Sequence, residues 1–239
     1  MQTKSKVAVL IPTLNEEATI GDVIDRIPVE QLANEGYATA VYVIDGNSKD
    51  DTQRRAREKG ATIVLANRSG KGAAMKQAFA SVRANYFIMI DGDNTYPPER
   101  IVDFMRLLYT HDVVLGSRLK GRIEEGAMTR TNALGNRMLT LMARTLFGGN
   151  ITDLCTGFWG YRGAVIKDMV LAAEGFEIEA DMFVECARRG FRIGELAINY
   201  SRRVDQPKLS SISDGFKIGA FLLKRWMAEG GKKQRELRT

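Results

Sequence analysis

Asp91-Gly92-Asp93 closes an apolar run over residues 86–90 and places two carboxylates one residue apart. A run of that length reads as a buried strand. Where such a strand stops beside a crevice, the two side chains can converge on one divalent cation. Hard oxygen ligands suit Mg²⁺ or Mn²⁺, and such an ion commonly holds substrate phosphates. Asp and Gly are also turn residues, so the tripeptide taken alone describes a strand-ending turn equally well.

The elements around the tripeptide bear on that choice. Residues 7–11 read as a strand stopped by Pro12. A helix begins near residues 15–17, carries Ile20, Val23, Ile24 and Ile27 at helical spacing, and ends at Pro28. Residues 40–44, 63–65, 86–90 and 113–115 read as further strands. Helices open at 48–52, at Gly70-Lys71-Gly72 and at Pro97-Pro98-Glu99. Short apolar strands alternating with helices predict an α/β fold with a mostly parallel sheet covered on both faces. Ligands bind beyond the C-terminal strand ends of such sheets. The polar motifs obey that rule: 12–16 follow strand one, 45–50 follow strand two and 91–95 follow strand four. After residue 117 the regularity fades. Residues 118–131 read as a polar loop, 132–147 as an amphipathic helix and 148–161 as irregular, Gly-rich chain. Residues 179–189 read as helix, 192–200 as extended chain and 214–227 as a last helix before a charged tail.

Composition narrows the classes. The 239 residues carry a net charge of +6, with 44% hydrophobic and 27% charged side chains. The mild basic excess fits anionic ligands or a membrane surface. No zinc-finger spacing and no basic run interleaved with aromatics appears, so nucleic acid is not an expected partner. Cys155 and Cys186 form no CxxC, which fits thiols in a reducing compartment. His111 is the only histidine, which argues against His-rich metal sites and a Ser-His-Asp triad. The polar residues 1–6 show no leader pattern, and no run reaches the ~18–20 apolar residues needed to span a bilayer.

The segments VLIPTLNEEATIGDVI, VIDGNSKDDT, SGKGAAMKQAF, IMIDGDNTYPPE, VVLGSR, DLCTGFWGYR and KLSSISDGFKIG occur in that order. Together they resemble the inverting family 2 glycosyltransferases of GT-A fold, a Rossmann-like αβα sandwich. The second half is similar to the polyprenyl-phosphate branch, which includes dolichol-phosphate mannose synthases. The resemblance implies one domain. Residues 1–117 would hold a nucleotide-sugar, 118–228 would face the acceptor and membrane, and 229–239 would be a charged tail. It implies a hexose moved from a nucleotide-diphospho-sugar to a polyprenyl or dolichyl phosphate. GDP-mannose is the first expectation for donor, followed by UDP-glucose and UDP-N-acetylglucosamine. A soluble hydroxyl acceptor and a non-catalytic sugar-nucleotide-binding subunit are the rival readings.

By that resemblance Pro12, Asn15, Glu16, Asp45 and Lys71 contact the nucleotide-sugar, together with Asp91, Gly92 and Asp93. Asp91 and Asp93 hold Mg²⁺ or Mn²⁺, and Thr95 stands where some relatives carry a third ligand. Relatives often have a second Asp where this chain has Gly46. Arg118, Arg130, Asp153, Arg202 and Arg203 form the acceptor-phosphate group, with Asp91, Asp93 and Arg118 expected to be catalytic. Read as residues alone, Asn15 also serves as a helix cap, Ser48 and Asp50 as a capping cluster, and Gly70-Lys71-Gly72 as a helix-start turn. The backbone N–H groups of that turn could otherwise approach a phosphate closely. Glu177, Glu179 and Asp181 are general-base candidates or the solvated start of a helix.

A lipid acceptor requires access to a bilayer surface. Leu134, Met138, Leu141 and Met142 share a helix face, and Arg130, Arg137 and Arg144 recur every seven residues. Phe216, Ala220, Leu223 and Met227 form a line on the last helix, where core packing is favoured, and Lys232, Lys233, Arg235 and Arg238 follow. Basic amphipathic helices can lie among headgroups or cover a protein's own core. The expected setting is peripheral, at the cytoplasmic face of a membrane, with a membrane-embedded partner subunit or a second copy as possible companions.

Overall fold

The computed structural model describes residues 4–204 and 211–236, with the side chains of the last helix described over 213–228. Strands β1 (Ser5–Thr13), β2 (Tyr37–Asp45), β3 (Thr62–Leu65), β4 (Tyr86–Met89) and β5 (Val113–Ser117) lie where alternation of apolar runs and helices places them. β6 (Trp159–Arg162) and β7 (Ile193–Ala197) join the same sheet from the second half of the chain. The order is β3-β2-β1-β4-β6-β5-β7. All pairings are parallel except those of β6, which runs antiparallel to both β4 and β5.

Alternate residues of β1 feed two cores. Ala8 and Leu10 pack on one face with Met75, Phe79, Trp159, Tyr161 and Phe183. Val7, Val9 and Ile11 pack on the other with Ile20, Leu32, Phe104 and Phe158. Helices α1 (Ile20–Asp25), α2 (Val29–Asn34), α3 (Thr52–Glu58) and α5 (Ile101–Leu107) cover the second face. The first is covered by α4 (Lys71–Ser81), α6 (Arg130–Phe147), α7 (Gly163–Asp168), α8 (Ile178–Arg188) and α9 (Ser211–Glu236). Each fully buried Leu, Ile or Phe contributes roughly 1.5–3 kcal/mol, so the sheet is a rigid platform.

Three details depart from the sequence reading. Pro12 does not stop β1, which pairs with β2 through Pro12↔Ile44 and Thr13↔Asp45. Leu10 O accepts the Ile90 amide, so Pro12, two residues on, presents its nitrogen to the same edge beyond β4, where no ladder bond is lost. The stretch read as irregular over 148–161 contains the start of β6. The line Phe216, Leu223 and Met227 on α9 is not its core face. Those residues are 77%, 44% and 62% exposed, and Ile218 and Leu222 are buried instead. The helix is thus apolar on more than one side.

The strand order explains where a ligand would sit. From β1 the chain steps outward to β2 and β3, then returns to place β4 on the other side of β1. The crevice between the C-terminal ends of β1 and β4 is therefore a topological switch point. Because β6 is antiparallel, the segment leading into it reaches that same rim.

Candidate active site

The acidic tripeptide lies in this crevice. A Cβ on Gly92 would stand 3.2 Å from Ile11 Cγ2 and overlap the Thr13 methyl, so glycine lets the turn press against the end of β1. Gly92 O accepts a 2.7 Å hydrogen bond from Thr19 Oγ1, and Asn94 takes a left-handed φ of 59° to complete the turn.

Each aspartate is met by a cation. Lys71 Nζ bridges Asp91 Oδ1 and Glu179 Oε1, at 2.6 Å from each. Arg203 bridges Asp93 Oδ2 at 2.9 Å and Glu16 Oε1 at 2.8 Å. Asp93 Oδ1 accepts from the Thr95 amide and hydroxyl at 3.2 and 2.6 Å. Burial, with Asp93 and Glu179 nearby, pushes the Asp91 carboxyl up to about 6 against the pull of Lys71. Four carboxylates meet two cations, leaving an excess of two negative charges that one divalent ion balances.

The donor set also fits such an ion. It consists of oxygens, with no sulfur or imidazole, as Mg²⁺ and Mn²⁺ prefer. Among the described residues no group of three or more His, Cys, Asp or Glu side chains converges. Asp91 and Asp93 alone leave most coordination positions to phosphate and water, the usual pattern for Mg²⁺.

The first loops interlock. Asn15, at φ 50°, receives a hydrogen bond from Lys49 N on Oδ1 and donates its own amide to Ser48 Oγ. Glu16 N donates to Thr52 Oγ1, and Asp50 accepts from Thr52 N and Oγ1 ahead of α3. Asn15 thus joins two loops and does not cap α1. Asp45, wholly buried, accepts from the amides of Asn47 and Ser48, from Ser48 Oγ and from Gln53 Nε2. Its carboxylate organises the loop beside the crevice.

Gly70 and Gly72 have a different partner from the phosphate that their N–H groups suggest. Gly72 N donates to Gly175 O at 3.1 Å and Ala73 N to Glu174 O at 3.0 Å. A Cβ on Gly72 would lie 2.7 Å from Ala173 O. The glycines admit the backbone of 173–175, and only the Lys71 ammonium reaches the acidic pair.

Arg118 ends β5 and is 8% exposed. Its Nε and Nη2 grip Asp153 at 2.8 and 2.7 Å, its amide donates to Asp153 Oδ2, and Nη2 also donates to Cys155 O. Asn136 Nδ2 completes the carboxylate at 2.6 Å. Burial would raise the Asp153 carboxyl, but Arg118 beside it holds it below the usual carboxylate range. The guanidinium also lies over the Tyr200 ring at 5.2 Å. Its Nη1 makes no hydrogen bond to a described residue, which leaves one donor edge for an anion.

The structure separates the other arginines. Arg203 joins the acidic pair. Arg202 is exposed beside Gly126, its amide bonded to Glu124. Arg130 is exposed at the first turn of α6 and makes no ion pair with a described residue. Lys208 and most of KLSS lie outside the described residues. His111 bonds locally near Thr110 and Leu107, away from the crevice.

Two residues that sequence reasoning missed complete the rim. Tyr96 Oη accepts from Gly157 N at 2.7 Å, and its ring meets that of Tyr200 at 5.2 Å. A Cβ on Gly157 would lie 2.5 Å from Asp91 Cγ. Only their position just after the acidic motif and just before β6 marks them, and β6 was not foreseen.

Residues 8–170 match the family model described as glycosyl transferase family 2. The chain belongs to that family. As a family 2 glycosyltransferase it is similar to Glycosyltransferase AglJ of Haloferax volcanii, 36% identical over 94% of this chain and 73% of the relative. It is also similar to a dolichyl-phosphate hexose transferase of the same organism, 33% identical over 95% and 96%. An undecaprenyl-phosphate mannosyltransferase of Micrococcus luteus is 28% identical over 86% and 88%. Among solved structures, glucosyl-3-phosphoglycerate synthase of Mycobacterium tuberculosis with phosphoglyceric acid aligns at a TM-score of 0.73. It is 25% identical, over 92% of this chain and 80% of that one. The same synthase with Mn²⁺, uridine diphosphate and glucosyl-3-phosphoglycerate aligns at 0.72 with 24% identity, over 92% and 80%, a likeness of fold.

Proposed function

We propose that this family 2 glycosyltransferase moves a hexose from a nucleotide-diphospho-sugar to a polyprenyl phosphate, with inversion and with Mg²⁺ or Mn²⁺ at Asp91 and Asp93. The observation that carries the reading is the charge arrangement at the crevice. The aspartate pair lies in a cluster of four carboxylates and two cations, with an excess of two negative charges, beside a buried arginine that keeps one donor edge open.

Bound there, the ion would neutralise charge on the departing nucleoside diphosphate. Pro12, Asn15, Glu16 and Asp45 shape the loops that face the nucleoside, and Lys71 and Arg203 adjoin the diphosphate. GDP-mannose is the first donor to test, then UDP-glucose and UDP-N-acetylglucosamine. Arg118, held by Asp153, orients the acceptor phosphate, with Arg130 and Arg202 at the outer edge. An acceptor phosphate oxygen attacks the anomeric carbon as the bond to the diphosphate breaks. That oxygen is already anionic near neutral pH, so no general base is needed. Two of the three carboxylates read as base candidates are committed elsewhere. Glu179 is spent on Lys71, and Asp181 on Arg225 and the amides of Ala172 and Ala173.

Among the described residues no helix is long and apolar enough to cross a membrane. Leu134, Met138 and Leu141 on α6 are 59%, 64% and 63% exposed, beside exposed Arg130, Arg137 and Arg144. This basic, apolar face supports peripheral docking on an anionic bilayer.

The relatives named for dolichyl and undecaprenyl phosphate support the lipid acceptor. The fold likeness to a synthase crystallised with phosphoglyceric acid favours a second reading, a soluble acceptor. Incubation of each donor with Mn²⁺ and either polyprenyl phosphate or 3-phosphoglycerate separates the two. Lipid-linked sugar alone supports the proposal; product from the soluble acid alone overturns it.

A further inference from the structure

α8 presents three buried carboxylates to three different elements. Glu179, Asp181 and Glu185 are 6%, 0% and 2% exposed. Glu179 holds Lys71. Asp181 Oδ2 accepts the amides of Ala172 and Ala173 at 2.5 and 2.8 Å, and Glu185 Oε2 accepts that of Val170 at 3.1 Å. The segment over 170–175 is therefore hung from α8 by its backbone. Its far side carries the carbonyls of Glu174 and Gly175, which take the amides of Ala73 and Gly72 in the first turn of α4. Lys71, the residue before them, is the one that reaches Asp91.

A single cation from another element completes this chain. Arg225 of α9 pairs through Nη1 with Asp181 Oδ1 at 3.0 Å and through Nη2 with Glu185 Oε1. It is only 15% exposed. Two ionised carboxylates two turns or less apart in a buried setting repel each other and lose hydration. Arg188 and Arg189 reach Glu185 from the same helix, but among the described residues Arg225 is the only cation paired with Asp181. Its planar fork can serve both acids at once, which a lysine ammonium cannot do with the same geometry.

We propose that Arg225 is a positioning residue for glycosyl transfer. It keeps Asp181 and Glu185 ionised and in place, so that segment 170–175 clamps the first turn of α4 and Lys71 stays aligned between Glu179 and Asp91. The inference rests on the reading of Asp91 as a metal ligand. It ties the guanidinium of Arg225, carried by the C-terminal helix, to a site reached only through α8 and this segment.

The test compares Arg225→Met, Arg225→Lys and Leu222→Ala in the full chain. Leu222 is buried on α9 but bears no charge, so its variant trims apolar packing and lowers stability while Arg225 keeps its pairing with the acids. Amide hydrogen exchange at Gly72 and Ala73, calorimetric affinity for Mn²⁺ in the presence of a nucleoside diphosphate and kcat/KM are measured at matched distance below Tm. In Arg225→Met, exchange at the two amides should rise at least tenfold, Mn²⁺ should bind several-fold more weakly and kcat/KM should fall about tenfold. Arg225→Lys should recover part of each loss, and Leu222→Ala should show none. Parent-like exchange and Mn²⁺ affinity in Arg225→Met, or equal losses in Leu222→Ala, overturn the proposal. If Arg225→Met does not fold, Arg225→Lys is judged by the same criteria against Leu222→Ala. If the parent itself binds no Mn²⁺, the metal reading of Asp91 falls, and amide exchange still decides whether Arg225 governs the clamp.

Discussion

Replacing Gly157 by alanine adds one methyl group at the rim of the crevice. The new Cβ would overlap Asp91 Oδ2 and lie 2.5 Å from Cγ and 2.9 Å from Oδ1. Carbon–carbon contacts settle at about 3.5–4.0 Å, so the Asp91 carboxylate must retreat by about 1 Å. The retreating atoms are the end of a side chain, and Gly157 does not use a left-handed φ. The backbone bond from Gly157 N to Tyr96 Oη survives the change. Folding should therefore be nearly unaffected, while the carboxylate proposed to hold the metal is displaced. Misplacement on this scale at a reacting centre can cost about 10²-fold in rate. Steady-state transfer measured across a Mn²⁺ titration, with Tm from thermal unfolding, checks both halves. A loss of about 10²-fold in kcat/KM, eased by excess Mn²⁺ and with Tm within a few degrees of the parent, is expected. Gly135→Ala, with no atom within 4 Å of its Cβ, should match the parent. A Gly157→Ala enzyme with parent-like kcat/KM at every Mn²⁺ concentration would refute the placement of Asp91 at the reacting centre.

Other perturbations test neighbouring parts of the site. Asp153→Asn strips the buried Arg118 of its counter-charge, which costs about 3–5 kcal/mol. At about 2–4 °C per kcal/mol for a chain of this size, Tm should drop by roughly 6–20 °C. Because Arg118 lowers the folded pKa of Asp153, this contribution is fully present above the unfolded value of about 3.9 and is lost as pH falls through the folded one. The Tm gap between parent and variant should accordingly be full at pH 7 and narrow only in strong acid. Burial pushes the Cys155 thiol up to about 12, so it should resist iodoacetamide at pH 8 in the folded protein and react on unfolding, as mass spectrometry would record. Serine at Leu134, Met138 and Leu141 together should reduce sedimentation with anionic vesicles several-fold and leave Tm nearly unchanged, since all three are exposed.

Much of this site is legible in local patterns. Apolar runs of three to five residues alternate with helices, and Asp91 and Asp93 stand where one run ends, so the carboxylate pair and its rim follow from order along the chain. What local pattern cannot carry is direction. Trp159–Arg162 is too short and too evenly buried to show a period, and nothing within it says that it runs antiparallel. That reversal is what brings Asp153 and Gly157 to the rim. The partners of charged groups are equally remote. Arg203 meets Glu16 from 187 residues away, and Lys71 meets Glu179 from 108. The Gly70-Lys71-Gly72 pattern does signal a close approach, but sequence alone does not reveal that the approaching group is a carbonyl of the 173–175 backbone. On α6 and α9, helical spacing marks apolar stripes without saying which stripe faces inward. On α6 the inward face holds Asn136, Thr140 and Ala143, because buried Asp153 and Leu154 need hydrogen-bond donors and acceptors there.

Calorimetric titration of Mn²⁺ in the presence of a nucleoside diphosphate, on the parent and on Asp91→Asn and Asp93→Asn, addresses the acidic pair most directly. The parent should bind one ion per chain, and each variant should lose at least tenfold in affinity together with nearly all transfer activity. Parent-like Mn²⁺ affinity and turnover in both variants would contradict the assignment of the pair as the seat of the ion.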